Sequence, residues 1–370
     1  MKFDRQLLSN FDWSLLAFVL LICFVGILNI YSAGFSLMAS GKTALYVKQL
    51  QWIAVGLIFM MVSFSIDYRI INRYAYFIYS ISLFLLVLVF VYGYTAHGSQ
   101  RWIVWGGFSF QPSELMKLTI ILALARYFDN HKIKKEGCQL KELVAPFFIV
   151  FVPFLFILKQ PDLGTALILL LIFVSIVFFV GIQWKSLLLA IAGTIIMVPL
   201  AWHFLKDYQK ERILTLFDPE KDPLGAGYHI LQSIIAVGSG GVLGKGFLKG
   251  TQTQLKFLPV QQTDFVFSVF AEEWGFLGGV LLIIGFLALI LWGLKISLHS
   301  RDLVGTIISF GVTMLIFWEV FINIGMVLGI LPVVGIPLPF LSYGGSSIIV
   351  LMLGMGLLMN ISTRRFLLKP

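Results

Sequence analysis

Long uninterrupted apolar runs constrain this chain more than any other feature. The runs Trp13 to Tyr31 and Ala166 to Ile182 are too long for β-strands and match the helix length needed to cross a bilayer. Hydrophobic residues make up 59% of the 370 positions and charged residues only 12%. That composition leaves too little polar surface to cover a soluble globule of this size, so the sequence predicts a multi-pass membrane protein.

Windows of about 20 apolar residues predict an all-α, polytopic membrane domain that occupies 1–370 and has about ten transmembrane helices. The predicted spans are 13–33, 49–67, 74–93, 113–128, 142–158, 165–182, 186–205, 264–294, 304–330 and 344–362. The first span follows Lys2 and Arg5 but is too long for a signal peptide, and no small-residue cleavage site follows it. We therefore expect it to be a retained anchor.

Basic residues gather on one side of these predicted helices. The opposite short loops contain only Lys42, Lys48, Arg101 and Lys159. The richer side contains Lys2, Arg5, Arg69, Arg73, Arg126, Lys132, Lys134, Lys135, Lys141, Lys185, Lys295, Arg301, Arg364, Arg365 and Lys369. The positive-inside rule makes that side, with both termini, cytoplasmic. It also accounts for the net charge of +9, so nucleic-acid binding is not expected.

Residues 206–263 form a polar, glycine-rich segment that the topology makes a large extracytoplasmic loop between helices 7 and 8. Within it, Tyr228 to Val237 has apolar residues at helical spacing but is too short to span a bilayer. We expect a short amphipathic or re-entrant helix there. Chemistry is most often carried by such loops.

The run from Gly238 to Gly246 has two interpretations. Its backbone amides could approach a phosphate with charge from Lys245 and Lys249, or it could be a flexible loop. It matches neither nucleotide-binding glycine motif, so no nucleotide is expected. The five histidines are dispersed without zinc-site spacing, and no haem or tightly bound metal is expected.

Asp264 is the sharpest catalytic candidate, because it lies where the polar loop meets the apolar run of the eighth span. A carboxylate at that boundary is partly desolvated, which makes it a better base for a substrate whose head group stands outside the bilayer. The alternative is a carboxylate that caps the helix N-terminus.

Charged residues inside the apolar spans form a second constellation. Glu114 and Lys117 are three residues apart and can pair on one helix face, either to hold helices together or to bind substrate. Glu272, Glu273 and Glu319 also lie in spans, where helix packing is the expected role. Glu319 shares a face with Asn323, which predicts a polar seam inside the bundle.

Several ordered motifs resemble the SEDS (shape, elongation, division and sporulation) family along nearly the whole chain. They are Arg101-Trp102, Phe110 to Glu114, Gln160 to Thr165, Asp218 to Glu220, Gly225 to His229, Gly335 to Phe340 and Ser342 to Ser346. The stretch Gly250 to Gln254 is more similar to the rod-shape, elongation branch. A bacterial inner-membrane protein with a large external loop is the implied architecture.

The resemblance implies an inverting glycosyltransferase that polymerises lipid II into glycan strands and releases undecaprenyl pyrophosphate. Asp264 matches the family's essential aspartate, as general base or as ligand of a divalent cation, Mg or Mn. Glu114 and Lys117 match its paired charges. The head-group cavity is expected to be lined by Arg101, Asp162, Arg212, Lys245 and Lys249.

Many relatives carry a glutamate and a histidine where this chain has Val260 and Gln262. A histidine proton shuttle is therefore not expected here. The resemblance also implies a class B penicillin-binding protein as transpeptidase partner, and other membrane proteins of the elongation machinery. A flippase for a lipid-linked precursor and a non-enzymatic scaffold are the alternative functions.

Overall fold

The computed structural model describes residues 11–38, 45–96, 99–105, 108–131, 137–204, 210–211, 214–216, 218–219, 225–258 and 260–365. Arg212, one of the residues expected to line the head-group cavity, lies outside the described residues. So does most of the segment 206–224, which belongs to the predicted extracytoplasmic loop.

Helices dominate the described chain, and each of the ten predicted spans overlaps one of them. The helices are α1 (Trp13–Met38), α2 (Leu45–Ser65), α3 (Tyr68–Arg73), α4 (Ala75–Tyr92), α5 (Pro112–Asn130), α6 (Val144–Lys159), α7 (Leu163–Val180), α8 (Trp184–Phe204), α9 (Ala226–Ser239), α10 (Thr251–Gln254), α11 (Val266–Leu298), α12 (Leu303–Val327) and α13 (Gly345–Arg364). A 3-10 turn, Leu140–Leu143, leads into α6.

Eight helical stretches in the described chain are long and apolar enough to cross a membrane. Neither α5 nor α8 is among them, and in α8 only the shorter stretch Trp184–Gly193 is apolar enough. In α5 the reason is its content of charged residues, Glu114, Lys117, Arg126 and Asp129. This helix lies at the centre of the bundle and is buried over most of its length. Protein rather than lipid surrounds it, so it tolerates ionisable groups that a lipid-facing helix would not.

A small antiparallel sheet corrects the prediction of a purely helical chain. Its strands β1 (Tyr94–Ala96), β2 (Ser99–Trp105) and β3 (Phe108–Phe110) follow α4 and pair in sequence order. The register sets Tyr94 against Trp102 and Ile103 against Phe110. Aromatic and β-branched side chains favour this pairing, but the segment is too short to stand out beside the long apolar runs.

The glycine run 238–246 packs into a break in α11. Gly275 has a non-helical backbone, with φ 66° and ψ −166°, and the helix opens around it. The amides of Lys245 and Gly246 donate to the carbonyls of Glu272 and Glu273 at 3.1 and 3.0 Å, and the amide of Phe276 donates to the Gly241 carbonyl at 2.8 Å. The run is thus neither a free loop nor a row of available amides, because it completes the hydrogen bonding of a broken helix.

We expect Gly244→Ala to destabilise the protein. Gly244 has a φ of +79°, and a Cβ there would collide with the backbone carbonyl of Glu273. Strained backbone of this kind costs roughly 1–3 kcal/mol. Thermal unfolding in detergent would measure the loss. Gly193→Ala is the matched control, because a Cβ at Gly193 meets no atom within 4 Å; an equal loss in both variants would contradict the proposed close contact.

The short helix predicted over 228–237 is confirmed as α9. Its buried face includes Ile230, Ser233 and Ala236, whereas Ile234 and Ile235 are exposed. The Ser233 hydroxyl donates to the Val327 carbonyl at 2.7 Å and lies 2.8 Å from the Ser268 hydroxyl. The helix therefore packs across the start of α11 and the end of α12, the ends that carry the candidate site.

Candidate active site

Asp264 immediately precedes α11 but does not occupy its N-cap position, which belongs to Phe265. Its side chain is half-buried. Its Oδ2 atom lies beside Gly335, where an added Cβ would come within 3.3 Å. Gly335 also has a φ of +73°, a conformation that favours glycine. The 335–343 loop thus passes close to the carboxylate, and a side chain at position 335 would crowd Asp264 Oδ2.

Asn323 on α12 holds the backbone of Asp264. Its fully buried side-chain amide donates to the carbonyls of Asp264 and Ile336, both at 2.8 Å. The Ser342 hydroxyl donates to the Thr263 carbonyl, and the Tyr343 amide donates to the Gln262 carbonyl at 2.9 Å. These bonds tie residues 262–264 to the 335–343 loop, so the carboxylate is presented by a fixed backbone.

Helix α1 supports the same segment from the opposite side. The Gln261 side chain donates to the Ala33 carbonyl at 2.6 Å, and the Asn29 side chain donates to the Val266 carbonyl at 2.8 Å. The Gln262 side-chain amide also donates to the Ala33 carbonyl, at 3.5 Å. The side chain of Gln262 therefore contacts the backbone of α1.

We expect Asn323→Ala to slow the chemistry attributed to Asp264. The change leaves the carbonyls of Asp264 and Ile336 without their common donor, and each lost buried hydrogen bond costs roughly 1–3 kcal/mol. The measurement is the rate of glycan synthesis by the folded variant and by the wild type at matched concentration, together with the melting temperature of each. A variant that melts lower but keeps the full synthesis rate would show that Asn323 supports the fold alone.

Arg101 and Asp162, expected at the head-group cavity, are brought together at the same end of the bundle. Asp162 is buried at the start of α7, accepts from the Thr165 hydroxyl at 3.0 Å and from the Gln111 side chain at 3.1 Å. Arg101 on β2 lies 3.8 Å from Asp162 and donates to the carbonyls of Gln160 and Pro161. The cluster joins the sheet, the start of α5 and the start of α7.

The predicted pair of Glu114 and Lys117 exists and has a third member. Lys117 Nζ lies 2.8 Å from Glu114 Oε2 and also contacts Glu319 Oε1 on α12. All three side chains are at least 95% buried. Glu319 and Asn323 lie one turn apart on α12 and are both fully buried, so the polar seam predicted there is confirmed. It runs from this ionic cluster to the backbone of Asp264.

Lys245 and Lys249 differ in their contacts: Lys245 pairs with a buried carboxylate, whereas Lys249 is exposed. Lys245 Nζ is 2.7 Å from Glu272 Oε1, and that buried carboxylate also accepts from the amides of Gln252 and Thr253 at 2.8 and 3.1 Å. Lys249 is exposed. Glu272 therefore fastens the 245–253 loop to α11, which agrees with the packing role expected for it, and Lys249 is the lysine whose ammonium faces outward.

Comparison with known proteins accounts for this arrangement. The family profile described as "Cell cycle protein" for FtsW, RodA and SpoVE matches residues 12–366. Peptidoglycan glycosyltransferase MrdB of Escherichia coli K12 is 43% identical over 346 residues, covering 92% of this chain and 92% of MrdB. Peptidoglycan glycosyltransferase RodA of Treponema pallidum is 33% identical, covering 96% of this chain and 98% of RodA.

Solved structures agree with the sequence relatives. A chain from a structure described as "Structural coordination of polymerization and crosslinking by a peptidoglycan synthase complex" has a TM-score of 0.81 at 35% identity, covering 96% of this chain and 98% of the other. Rod shape determining protein RodA of Thermus thermophilus has a TM-score of 0.71 at 29% identity, with coverage of 96% and 98%. The resemblance drawn from the motifs is confirmed, and this chain belongs to the FtsW, RodA and SpoVE family of cell cycle proteins, the SEDS family.

Proposed function

We propose that this chain is the peptidoglycan glycosyltransferase of cell elongation, embedded in the bacterial inner membrane. Relatives named for that activity are 33–43% identical over most of the chain. The site is assigned from Asp264, whose carboxylate lies at the boundary between the polar loop and α11. Its backbone carbonyl accepts a hydrogen bond from the Asn323 side chain. A lipid-linked sugar offers its reacting atoms at that depth.

In the proposed reaction, the 4-hydroxyl oxygen of the lipid II acceptor attacks the anomeric carbon of the growing chain. The hydroxyl proton passes to the Asp264 carboxylate, and the bond from the anomeric carbon to the pyrophosphate oxygen breaks. Inversion at that carbon follows from attack on the face opposite the leaving group, and undecaprenyl pyrophosphate departs. A carboxylate positioned as general base typically contributes about 10²–10⁴ to the rate.

A divalent cation fits Asp264 only as a partner shared with substrate. Among the described residues no group of three or more His, Cys, Asp or Glu side chains could enclose a metal ion. Mg²⁺ is commonly held by one or two carboxylates with substrate phosphates. Asp264 is half-buried, so its carboxylate is proposed to supply one ligand and the substrate phosphates the others. When bound, the cation would neutralise charge on the leaving pyrophosphate.

The other predicted binding residues divide by exposure. Lys249 is exposed and Arg101 keeps about a quarter of its side chain accessible, 27%, so both are proposed to contact the anionic head group. Asp162 and Lys245 are proposed to shape the same region through the cluster and loop that they fix. Glu114 and Lys117 are buried, and we propose that they act on substrate through the position of α5 and α12.

A crosslinking partner completes the proposal. The similar chain at TM-score 0.81 comes from a peptidoglycan synthase complex that coordinates polymerization and crosslinking. We propose that this chain supplies polymerisation in such a complex and that a class B penicillin-binding protein supplies the transpeptidase. Other elongation proteins of the membrane are proposed neighbours.

Proteoliposomes distinguish this function from the alternatives. The purified chain with its cognate transpeptidase would be reconstituted with lipid II, and both glycan polymer and the sidedness of unreacted lipid II would be measured. Polymer without transfer of lipid II between leaflets is expected. Transfer without polymer would favour a flippase, and neither product from a correctly assembled complex would favour a scaffold.

A further inference from the structure

The ionic cluster of Glu114, Lys117 and Glu319 is unbalanced in charge. Two carboxylates contact one ammonium, and all three groups are buried among helices of a membrane protein. With every group ionised, the cluster carries one uncompensated negative charge. An isolated buried charge is strongly disfavoured, and proteins normally neutralise it by a proton or a counter-ion.

Charged groups elsewhere on the helices that contact α12 have other described partners or lie at helix ends. On α11, Glu272 pairs with Lys245, and Glu273 accepts from the Ser32 hydroxyl and the Leu248 amide. On α5, Arg126 and Asp129 pair with each other near its C-terminal end. The remaining groups are Lys295 in the last turn of α11, Arg364 in the last turn of α13, Arg69 and Arg73 on α3, and His229 on α9. Within the described chain α7 contributes no charged residue. Lys117 is thus the basic partner of both carboxylates.

The two carboxylates are not equivalent. Glu114 lies in the first turn of α5, where the positive end of the helix macrodipole favours an ionised carboxylate. Glu319 lies in the interior of α12, away from either helix end, and is fully buried. The Oε2 atoms of Glu114 and Glu319 both lack a hydrogen-bond donor among the described residues, so position in the helix is what distinguishes the two carboxylates. Ionisation is therefore best supported at Glu114 and least supported at Glu319.

We propose that this cluster is a proton-binding site and that Glu319 carries the proton, so that the three groups together are neutral. Lys117 then forms its ion pair with Glu114 and donates a hydrogen bond to Oε1 of the neutral Glu319 carboxylic acid. The proton on Glu319 takes no part in the proposed glycosyl transfer, although the cluster helps to position α5 and α12. Glu319 lies one helical turn from Asn323, which bonds the Asp264 carbonyl.

Infrared spectroscopy of the full-length protein in detergent, with ¹³C-labelled glutamate, tests the proposal directly. The wild type is expected to show the C=O stretch of a buried protonated carboxylic acid near neutral pH, and Glu319→Gln should remove that band. Glu273→Gln is the matched control, because Glu273 is also buried and has an oxygen without a described donor. A Glu319→Gln spectrum that keeps every protonated-carboxyl band of the wild type would overturn the assignment.

Thermal stability gives a second test that does not depend on band assignment. Either Glu114→Gln or Glu319→Gln leaves Lys117 with one ionisable carboxylate, so each single variant should melt within a few degrees of the wild type. The double variant leaves a buried ammonium alone and should melt far lower than the two single shifts predict. Additive shifts in melting temperature would contradict a neutral cluster in which Lys117 needs only one ionised carboxylate. So would a melting temperature that rises with Na⁺ in the wild type but not in Glu319→Gln, because it would identify a metal cation as the counter-charge.

Discussion

Replacing Asp264 by asparagine is expected to reduce glycan synthesis to a small residual rate while leaving the protein folded. The amide keeps the size of the side chain but cannot accept the proton of the acceptor hydroxyl, so the polymerisation rate should fall by about 10²–10⁴. The fold should survive because Asn323, Ser342 and Tyr343 donate to the backbone carbonyls of residues 262–264, not to the carboxylate.

The rate of polymerisation from purified lipid II measures this effect, with melting temperature and partner binding as controls on folding. The response of the residual rate to Mg²⁺ separates the two proposed roles of Asp264. A residual rate that recovers at high Mg²⁺ indicates a cation ligand, and one that stays low at every Mg²⁺ concentration indicates a general base. An unchanged rate would remove Asp264 from the reaction.

Replacing Lys117 by methionine is expected to produce the largest loss of stability. Methionine fills a similar volume but leaves Glu114 and Glu319 without the ammonium that both contact. Removing one partner of a buried ion pair costs about 3–5 kcal/mol. Because α5 and α12 meet at this cluster, their packing should loosen and the displacement should reach Asn323, so glycan synthesis should fall as well.

Thermal unfolding in detergent checks the stability loss, and Lys249→Met is the matched control. Lys249 has the same side chain at an exposed position, so its replacement should leave the melting temperature nearly unchanged. Similar melting temperatures for Lys117→Met and the wild type would contradict a charge-bearing role for the buried lysine.

Local sequence pattern predicts a helix at each of the ten positions where the structure has one, because a run of bilayer length can satisfy its backbone groups in lipid as a helix without tertiary contacts. The same pattern singles out Asp264, since a carboxylate at the boundary between a polar loop and an apolar run is expected at the membrane surface. Its role in the reaction stays a prediction. The i,i+3 spacing of Glu114 and Lys117 likewise needs only helix geometry.

Sequence pattern alone does not predict contacts between distant segments of the chain. Glu319 lies more than two hundred residues from Lys117, and its spacing to Asn323 predicts a polar face without naming what that face meets. The glycine run illustrates the same limit: its composition permits several conformations, and only the break at Gly275 explains which one is adopted. The sheet was missed because its strands are short and lie between stronger helical signals.

The most direct test of a glycosyltransferase centred on Asp264 is the stoichiometry of its two products. The purified complex would be given labelled lipid II, and undecaprenyl pyrophosphate release and disaccharide incorporation into glycan would be followed together. We expect one undecaprenyl pyrophosphate for each disaccharide added by the wild type, and only a small residual rate of both products from Asp264→Asn of equal stability. Polymer formation by the Asp264→Asn complex at the wild-type rate would contradict the assignment of this carboxylate as the reaction centre.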